Sequence, residues 1–130
     1  MIAAQPDTTA VAAALKVLDD HFAALNAQDP VALTATLHFP HYRLTQNGMQ
    51  IWQTGDTYLA DFRSRAGAAW NRSALLFRNV VAASTDKVHL DIAFIRYDRD
   101  DQPIGTFRSL WMITNKGGQW AAEARSSFAS

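Results

Sequence analysis

The apolar residues near the start of the chain recur at the spacing of an amphipathic helix. Five of them are separated by four, three, four and three positions: Val11, Leu15, Leu18, Phe22 and Leu25. This periodicity places them on one face and predicts a helix over residues 8–27. Asp29 can then cap a second, short helix that has Pro30 in its first turn and that Pro40 ends.

The next segment predicts a small hairpin followed by a third helix. Asn47-Gly48 is a strong signal for a tight turn between two strands. The flanking strands are predicted over residues 41–46 and 49–52. Thr54 is a good N-cap for the third helix, which we expect over residues 55–65.

From Trp70 onward the pattern changes to the turn-separated runs expected of strands. Four strands are predicted, over residues 71–83, 87–97, 104–114 and 119–128. The breaks between them are rich in Ser, Thr, Asn, Asp and Gly, which favour turns. The sequence therefore predicts an α+β fold, with a curved antiparallel sheet of about six strands wrapped around three helices from the N-terminal half. The 130 residues suit a single domain, with a flexible N-terminus at residues 1–7.

Pairing the strands through their turns assigns each residue to a face of the sheet. One face is strongly apolar, as expected under helices, and carries four polar residues: Asn79, Arg96, Ser109 and Ser126. The opposite face mixes charged and apolar residues: Asp91, Ile95, Arg108, Leu110, Met112, Glu123 and Arg125. We interpret this second face as a homodimer interface in which charges pair around an apolar centre. A β-bulge in any strand would reverse the assignment beyond it.

Composition narrows the class of protein further. The 12 Lys and Arg residues balance 12 Asp and Glu residues, and no basic stripe favours nucleic acid as a partner. The absence of cysteine excludes disulfides, thiolate catalysis and zinc–cysteine sites. No apolar run approaches the ~20 residues of a membrane span, and the N-terminus lacks the basic start of a signal peptide. We therefore expect a cytoplasmic protein with no membrane partner.

Two segments carry a resemblance to a known group of proteins. HFAALNAQDPVALTATLHFPHYRL at residues 21–44 has a long helix, an Asn-x-x-Asp-Pro break, a second helix and the entry to a strand, and GTFRSLWMITNKGGQWAAEARSSF at residues 105–128 has a terminal hairpin. The chain resembles the SnoaL-like branch of the ketosteroid isomerase/nuclear transport factor 2-like superfamily. The resemblance implies a cone-shaped, cystatin-like roll with a pocket at its open end, and dimers in many members. It implies no single activity, because the group includes isomerases, dehydratases, hydrolases and non-catalytic modules.

One departure from the group bears on catalysis. Ketosteroid isomerase-like members place a general-base carboxylate on or just after the first strand, whereas residues 41–48 here contain no Asp or Glu. An acid–base residue would then be a histidine or tyrosine, and the candidates are His38, His41 and Tyr58. The two histidines lack a third ligand nearby in the sequence, so no metal and no cofactor are expected.

We expect the pocket to bind a small apolar molecule with one polar end. The candidate ligand-binding residues are Trp52, Tyr58, Phe62, Asn79, Arg96, Ser109, Trp111 and Ser126. Two functions remain open: an isomerase, dehydratase or hydrolase, and a non-catalytic module for dimerisation or for ligand or partner binding. A cavity of roughly 300 Å³ with a histidine and Arg96 converging on it favours the first, and a cavity filled by aromatic side chains favours the second.

Overall fold

The computed structural model describes residues 7–129, which form three helices and one six-stranded sheet. The helices are α1 (Thr8–Ala27), α2 (Pro30–Thr34) and α3 (Gly55–Ala66). The strands are β1 (Leu37–Thr45), β2 (Gly48–Trp52), β3 (Arg72–Ala83), β4 (Lys87–Tyr97), β5 (Pro103–Lys116) and β6 (Gln119–Ser127). Their order is β2-β1-β6-β5-β4-β3, and all neighbours are antiparallel except β1 and β6, which are parallel. The predicted α+β architecture is confirmed.

Each helix is preceded by a residue whose side chain caps its first turn. Asp7, Asp29 and Thr54 precede α1, α2 and α3, and a side-chain oxygen of each accepts a hydrogen bond from a backbone N–H of the following turn. These bonds satisfy N–H groups that have no partner within the helix, which explains why the predicted starts are right. Asp7 thus belongs to a cap, and the rest of the predicted flexible N-terminus, residues 1–6, lies outside the described residues.

The second helix is shorter than predicted, and the first strand begins earlier. Helix α2 ends at Thr34, and Leu37 already pairs with Ala122 of β6. Pro40, which we expected to end the helix, lies inside β1. The β1–β6 register shifts between Leu37 and Tyr42, and a strand tolerates proline, which has no N–H, at such an irregularity.

The inner face of the sheet packs against α1, which contacts β3, β4, β5 and β6. In β4 and β5, Leu90 lies opposite Trp111 and Phe94 lies opposite Phe107, so the apolar inner face predicted by pairing strands through their turns is confirmed here. The Phe22 ring of α1 meets this face, 5.6 Å from the Phe94 ring and 6.4 Å from the Trp111 ring. These three aromatic residues form one wall of the candidate site.

A bulge in β6 reverses the predicted faces near the end of the chain. Glu123 is the extra residue of this bulge. Beyond it, Arg125 lies opposite Trp111 on the inner face, and Ser126 lies opposite Leu110 on the outer face. The predicted positions of Arg125 and Ser126 are therefore wrong, because one extra residue inverts the alternation of side chains.

A similar irregularity in β3 moves other side chains. The β3–β4 register shifts around Leu76, so Asn79 lies opposite Asp91 on the outer face and is exposed. The predicted inner position of Asn79 is wrong for the same reason as in β6. Arg78 instead turns to the inner side, where it forms a salt bridge with Asp19 of α1.

Candidate functional site

A small cavity lies between the inner face of the sheet, α1 and α3. Four arginines from four different elements line it: Arg43 on β1, Arg65 on α3, Arg96 on β4 and Arg125 on β6. Five aromatic residues line it as well: Phe22, Tyr58, Phe62, Phe94 and Trp111. We call this space the arginine cavity; its other lining residues are His21, Leu25, Ser109 and Ala129. Its volume is about 20 Å³, room for one water molecule.

Arg125 is held in the cavity wall by aromatic rings. The residue is 8% exposed, and its Cζ lies 4.9 Å from the centre of the Trp111 ring and 5.1 Å from that of Tyr58. Burial lowers the pKa of Arg125, Tyr58 opposes that shift, and the charge of Arg65 adds to it. Contacts with ring faces stabilise a cation, yet a buried guanidinium without a carboxylate still carries a desolvation penalty.

Arg96 has a similar aromatic setting on the neighbouring side of the cavity. It is 3% exposed, and its Cζ lies 4.8 Å from the Phe107 ring centre and 5.4 Å from that of Phe62. Burial, followed by the charges of Arg65 and Arg125, lowers the pKa of Arg96 to about 10. The guanidinium remains protonated near neutral pH, so it contributes positive charge to the cavity.

Arg43 is bound by neutral acceptors. It is 1% exposed, its Nη1 donates to Gln50 Oε1 at 2.9 Å, and its Nη2 donates to the carbonyl oxygen of Ala129. Burial and the charges of Arg65 and Arg125 lower the pKa of Arg43 to about 9. Hydrogen bonds to an amide and a carbonyl orient the guanidinium but leave its charge uncompensated.

Arg65 brings the one carboxylate that neutralises part of this charge. Its Nε forms a salt bridge with Asp61 Oδ2 at 2.7 Å, one turn earlier on α3. Its Cζ also lies 5.7 Å from the Trp52 ring centre. Within residues 7–129, this is the one salt bridge in which Arg43, Arg65 or Arg125 takes part.

Several buried hydrogen-bond donors on the cavity lining have no partner. Four buried N–H groups on its lining residues have no hydrogen-bond partner: Arg43 Nε, Arg65 Nη2, Arg125 Nε and Trp111 Nε1. No Asp or Glu of the described part of the chain lines the cavity. A buried donor without a partner costs about 1–3 kcal/mol. The cavity lining of the described chain therefore has buried donors that no protein acceptor satisfies.

His21 is part of a hydrogen-bonded chain at the cavity wall. The Thr36 hydroxyl donates to the Leu33 carbonyl at 2.7 Å, so His21 Nδ1 donates to Thr36 Oγ1 at 2.9 Å. His21 Nε2 is then an acceptor, and the Tyr58 hydroxyl lies 3.4 Å from it. Burial, followed by the charge of Arg125, lowers the pKa of His21 well below its usual value. This neutral His21 and Tyr58 form the pair at the cavity that is suited to proton transfer.

His41 is a core residue beside the cavity. It is fully buried, stacks on Trp52 with ring centres 6.2 Å apart, and meets the edge of Tyr58 at 5.7 Å. Its Nδ1 donates to the Ala122 carbonyl at 3.1 Å. Burial, followed by the charge of Arg125, lowers the pKa of His41 to about 3. His41 is therefore neutral at physiological pH.

The structure brings some of the predicted site residues together and separates others. The predicted ligand-binding residues that line the cavity are Tyr58, Phe62, Arg96, Ser109 and Trp111. Trp52 is buried next to them, whereas Asn79 and Ser126 lie on the outer face. His38, whose Nε2 donates to the Thr114 carbonyl at 3.0 Å, and His41 are not among the lining residues.

Sequence reasoning missed Arg43, Arg65 and Arg125 as cavity residues. Arg43 lies two positions after His41 on β1, so strand alternation alone would have placed both side chains on one face. Arg125 had no such signal, because its position depends on the bulge at Glu123. The convergence of these arginines is a property of the tertiary structure.

The outer face of the sheet carries a wider, open groove of about 560 Å³ beside Arg108 and Phe128. The predicted interface residues that lie on this face are Asp91, Ile95, Arg108, Leu110 and Met112. Arg108 forms a salt bridge with Asp91 at 2.7 Å, and Leu110 is 44% exposed. Glu123 forms a salt bridge with Lys116 at 2.7 Å and not with Arg125. Of the four charged residues predicted at the interface, Asp91 and Arg108 are the two that pair with each other.

Two classes of feature are missing from the described residues. In residues 7–129, no group of three or more His, Asp or Glu side chains is placed to hold a metal ion. No helix in that range is long and apolar enough to cross a membrane.

The chain has the cystatin-like fold of the NTF2-like proteins, as its similarity to solved structures shows. A cystatin-like protein from Nostoc punctiforme has a TM-score of 0.78 at 11% identity, covering 98% of this chain and 96% of that chain. An NTF2-like protein from Pseudomonas putida has a TM-score of 0.76 at 17% identity, with 97% and 90% covered. A ketosteroid isomerase-like protein from Erwinia carotovora atroseptica has a TM-score of 0.71 at 14% identity, with 95% and 98% covered. Neither protein-family models nor curated proteins match the sequence.

At these identities the likeness shows the fold alone, and it confirms the fold that the sequence resemblance implied. The function has to be argued from the arginine cavity itself.

Proposed function

We propose that the protein binds, in the arginine cavity, a small organic molecule with an apolar body and one anionic end. The observation that carries this proposal is the set of buried cationic side chains with unpartnered N–H donors. An anionic group would accept these hydrogen bonds and offset the repulsion between the guanidinium groups. Rings such as Phe62 and Trp111 would contact the apolar body.

Entry of such a ligand requires movement of the cavity wall, because 20 Å³ does not hold an organic molecule. Ala129 is the wall residue best placed to move. It is 2% exposed, follows the end of β6, and its carbonyl oxygen accepts a hydrogen bond from Arg43. A ligand anion would replace this carbonyl on Arg43, exchanging a neutral acceptor for a charged one.

Proton-transfer catalysis is a second candidate function, supported by the contact between Tyr58 and His21. The Thr36 hydroxyl holds His21 in the tautomer that accepts from Tyr58, so the pair could relay a proton to or from a bound compound. The lining residues of the described chain offer no carboxylate as a general base. Binding is therefore the function that the geometry supports best, and isomerisation, dehydration or hydrolysis would depend on this pair.

Isothermal titration with benzoate and with benzamide tests the proposal, since the two compounds share a ring and differ in charge. We expect benzoate to bind at least about tenfold more tightly, the effect of one charge-assisted hydrogen bond of about 1.5–3 kcal/mol. Arg96→Met should weaken benzoate binding by a similar factor. Arg108→Met removes a guanidinium from the outer face instead and should leave the affinity unchanged.

A chain that ends at Ser127 provides a second arm of the same experiment. It lacks the Ala129 carbonyl that occupies Arg43, so it should bind benzoate more tightly than the full chain. Equal binding of benzoate and benzamide by both chains would refute an anion-binding cavity.

We also propose that the protein forms a homodimer through the outer face of the sheet. Leu110 is exposed near the centre of that face, and the Asp91–Arg108 pair beside it has the mixed charge that a two-fold interface can use twice.

Leu110→Glu should therefore convert the dimer to a monomer in sedimentation velocity, because it places a carboxylate in the apolar centre of the interface. Val31→Glu is the matched control, since Val31 is 82% exposed on α2 and is not among the predicted interface residues. A dimer that survives Leu110→Glu would exclude this face as the contact.

A further inference from the structure

We infer that the anionic end of the ligand carries two negative charges, as a phosphate monoester or a dicarboxylate does. This inference rests on the proposed function and specifies the class of compound that the arginine cavity takes. It is carried by the balance of charge around the cavity and by the positions of the unpartnered donors.

Among the described residues, the charges of Arg43, Arg65, Arg125 and Asp61 do not balance. Arg43, Arg65 and Arg125 bring three positive charges, and Asp61 is the one carboxylate in a salt bridge with any of them within residues 7–129. The excess among these three arginines and Asp61 is two positive charges. A monoanion would leave one buried charge uncompensated, which is costly in a water-poor site, whereas a dianion matches the excess.

The unpartnered donors lie on two sides of the cavity. Arg43 Nε, Arg125 Nε and Trp111 Nε1 belong to paired residues of the neighbouring strands β1, β6 and β5, whereas Arg65 Nη2 comes from α3. A single carboxylate presents two oxygens in one plane, which suits a fork of donors from one direction. A phosphate group has three terminal acceptor oxygens, and a dicarboxylate has two separate pairs, so either can accept from several elements at once.

Two matched pairs of compounds test the inference by isothermal titration at constant ionic strength and pH 7.5. Phenyl phosphate carries two charges and methyl phenyl phosphate one, and benzene-1,3-dicarboxylate carries two charges and benzoate one. We expect at least one dianion to bind about tenfold or more tightly than its monoanionic counterpart, as one further charge-assisted interaction implies. The pair that shows the gain distinguishes a phosphate ester from a dicarboxylate.

Asp61→Asn provides a readout that a purely structural role would not produce. It raises the excess from two to three positive charges, so it should increase the preference for the dianion over the monoanion. Asp91→Asn changes the net charge of the protein equally, but on the outer face, and should leave that preference unchanged.

The outcomes separate this inference from the proposed function. If benzoate binds and neither dianion exceeds its monoanion, the site takes a single charge, and the inference is overturned while the proposed function stands. If none of the four compounds binds to the full chain or to the chain ending at Ser127, both are overturned. The inference is also contradicted if Asp91→Asn removes the preference for the dianion as fully as an arginine substitution in the cavity does. Such a result would place the binding on the outer face.

Discussion

Replacing Arg125 with methionine should raise the free energy of unfolding by about 1–3 kcal/mol while it weakens anion binding. Arg125 is 8% exposed, its Nε has no hydrogen-bond partner, and it lies among other arginines. Methionine is flexible enough to fill the space between the Tyr58 and Trp111 rings, and it removes both the desolvation penalty and the repulsion with Arg65. The contacts of the cation with the two rings are lost, which limits the gain.

Urea unfolding of the wild type and the variant measures this effect. Arg78→Met is the matched control, because Arg78 lies on the same sheet and forms a partly exposed salt bridge with Asp19. Its loss should cost no more than about 1 kcal/mol, and it should not increase stability. If Arg125→Met instead lowers the free energy of unfolding, then Arg125 supports the fold, and its burial says nothing about a ligand.

A gain in stability coupled to a loss of binding is the expected behaviour of a functional site. A group that is preorganised for a ligand is poorly compensated when the ligand is absent, so proteins often lose stability where they bind. The aromatic residues around Arg96 and Arg125 hold the guanidinium groups in place at this cost.

Acid should destabilise the protein well before its carboxylates are fully protonated. Burial and the charge of Arg125, with smaller effects of His38 and Arg43, lower the pKa of His41 to about 3 in the folded state. The unfolded chain has an ordinary histidine pKa of about 6.5, so it takes up the proton first as the pH falls. Stability is therefore lost below about pH 6.5, and His41 alone should cost about 2–3 kcal/mol by pH 4.5. His21, whose pKa is also lowered by burial, adds a loss in the same direction.

The free energy of unfolding in urea at pH 7.5 and pH 4.5 tests this expectation. His41→Asn retains a side-chain N–H that can donate to the Ala122 carbonyl but does not titrate, so the stability that this variant loses between the two pH values should be smaller by about 2–3 kcal/mol. Ile113→Val is a control that removes one buried methyl group and should be less stable by a similar amount at both pH values. An unchanged acid sensitivity in His41→Asn would mean that His41 is not buried as a neutral group.

Much of the fold could be read from neighbouring residues. The caps Asp29 and Thr54, the Asn47-Gly48 turn and the periodicity of α1 act over a few positions, and the structure has the corresponding elements. The register between β4 and β5 was also predicted, because a short turn joins them and no bulge interrupts their inner-face pairs. Such features depend on local propensity and alternation, which a single sequence carries.

The candidate site was predicted in part. Tyr58, Phe62 and Trp111 were recognised as cavity residues because they are large and fall on the apolar sides of their elements. Asn79 and Ser126 were misplaced, since each follows an extra residue in its strand. One bulge inverts every later side chain, and no pattern in the sequence marked these bulges.

By itself, the sequence determined the order of the elements, the helix starts, the apolar inner face and the absence of a carboxylate at the expected place on the first strand. The tertiary structure alone decided that Arg43, Arg65, Arg96 and Arg125 meet in one cavity. These residues come from four elements that are distant along the chain, and Arg125 points inward because Glu123 is the extra residue of a bulge. Charge convergence of this kind arises from strand register and helix packing, so only the folded chain reveals it.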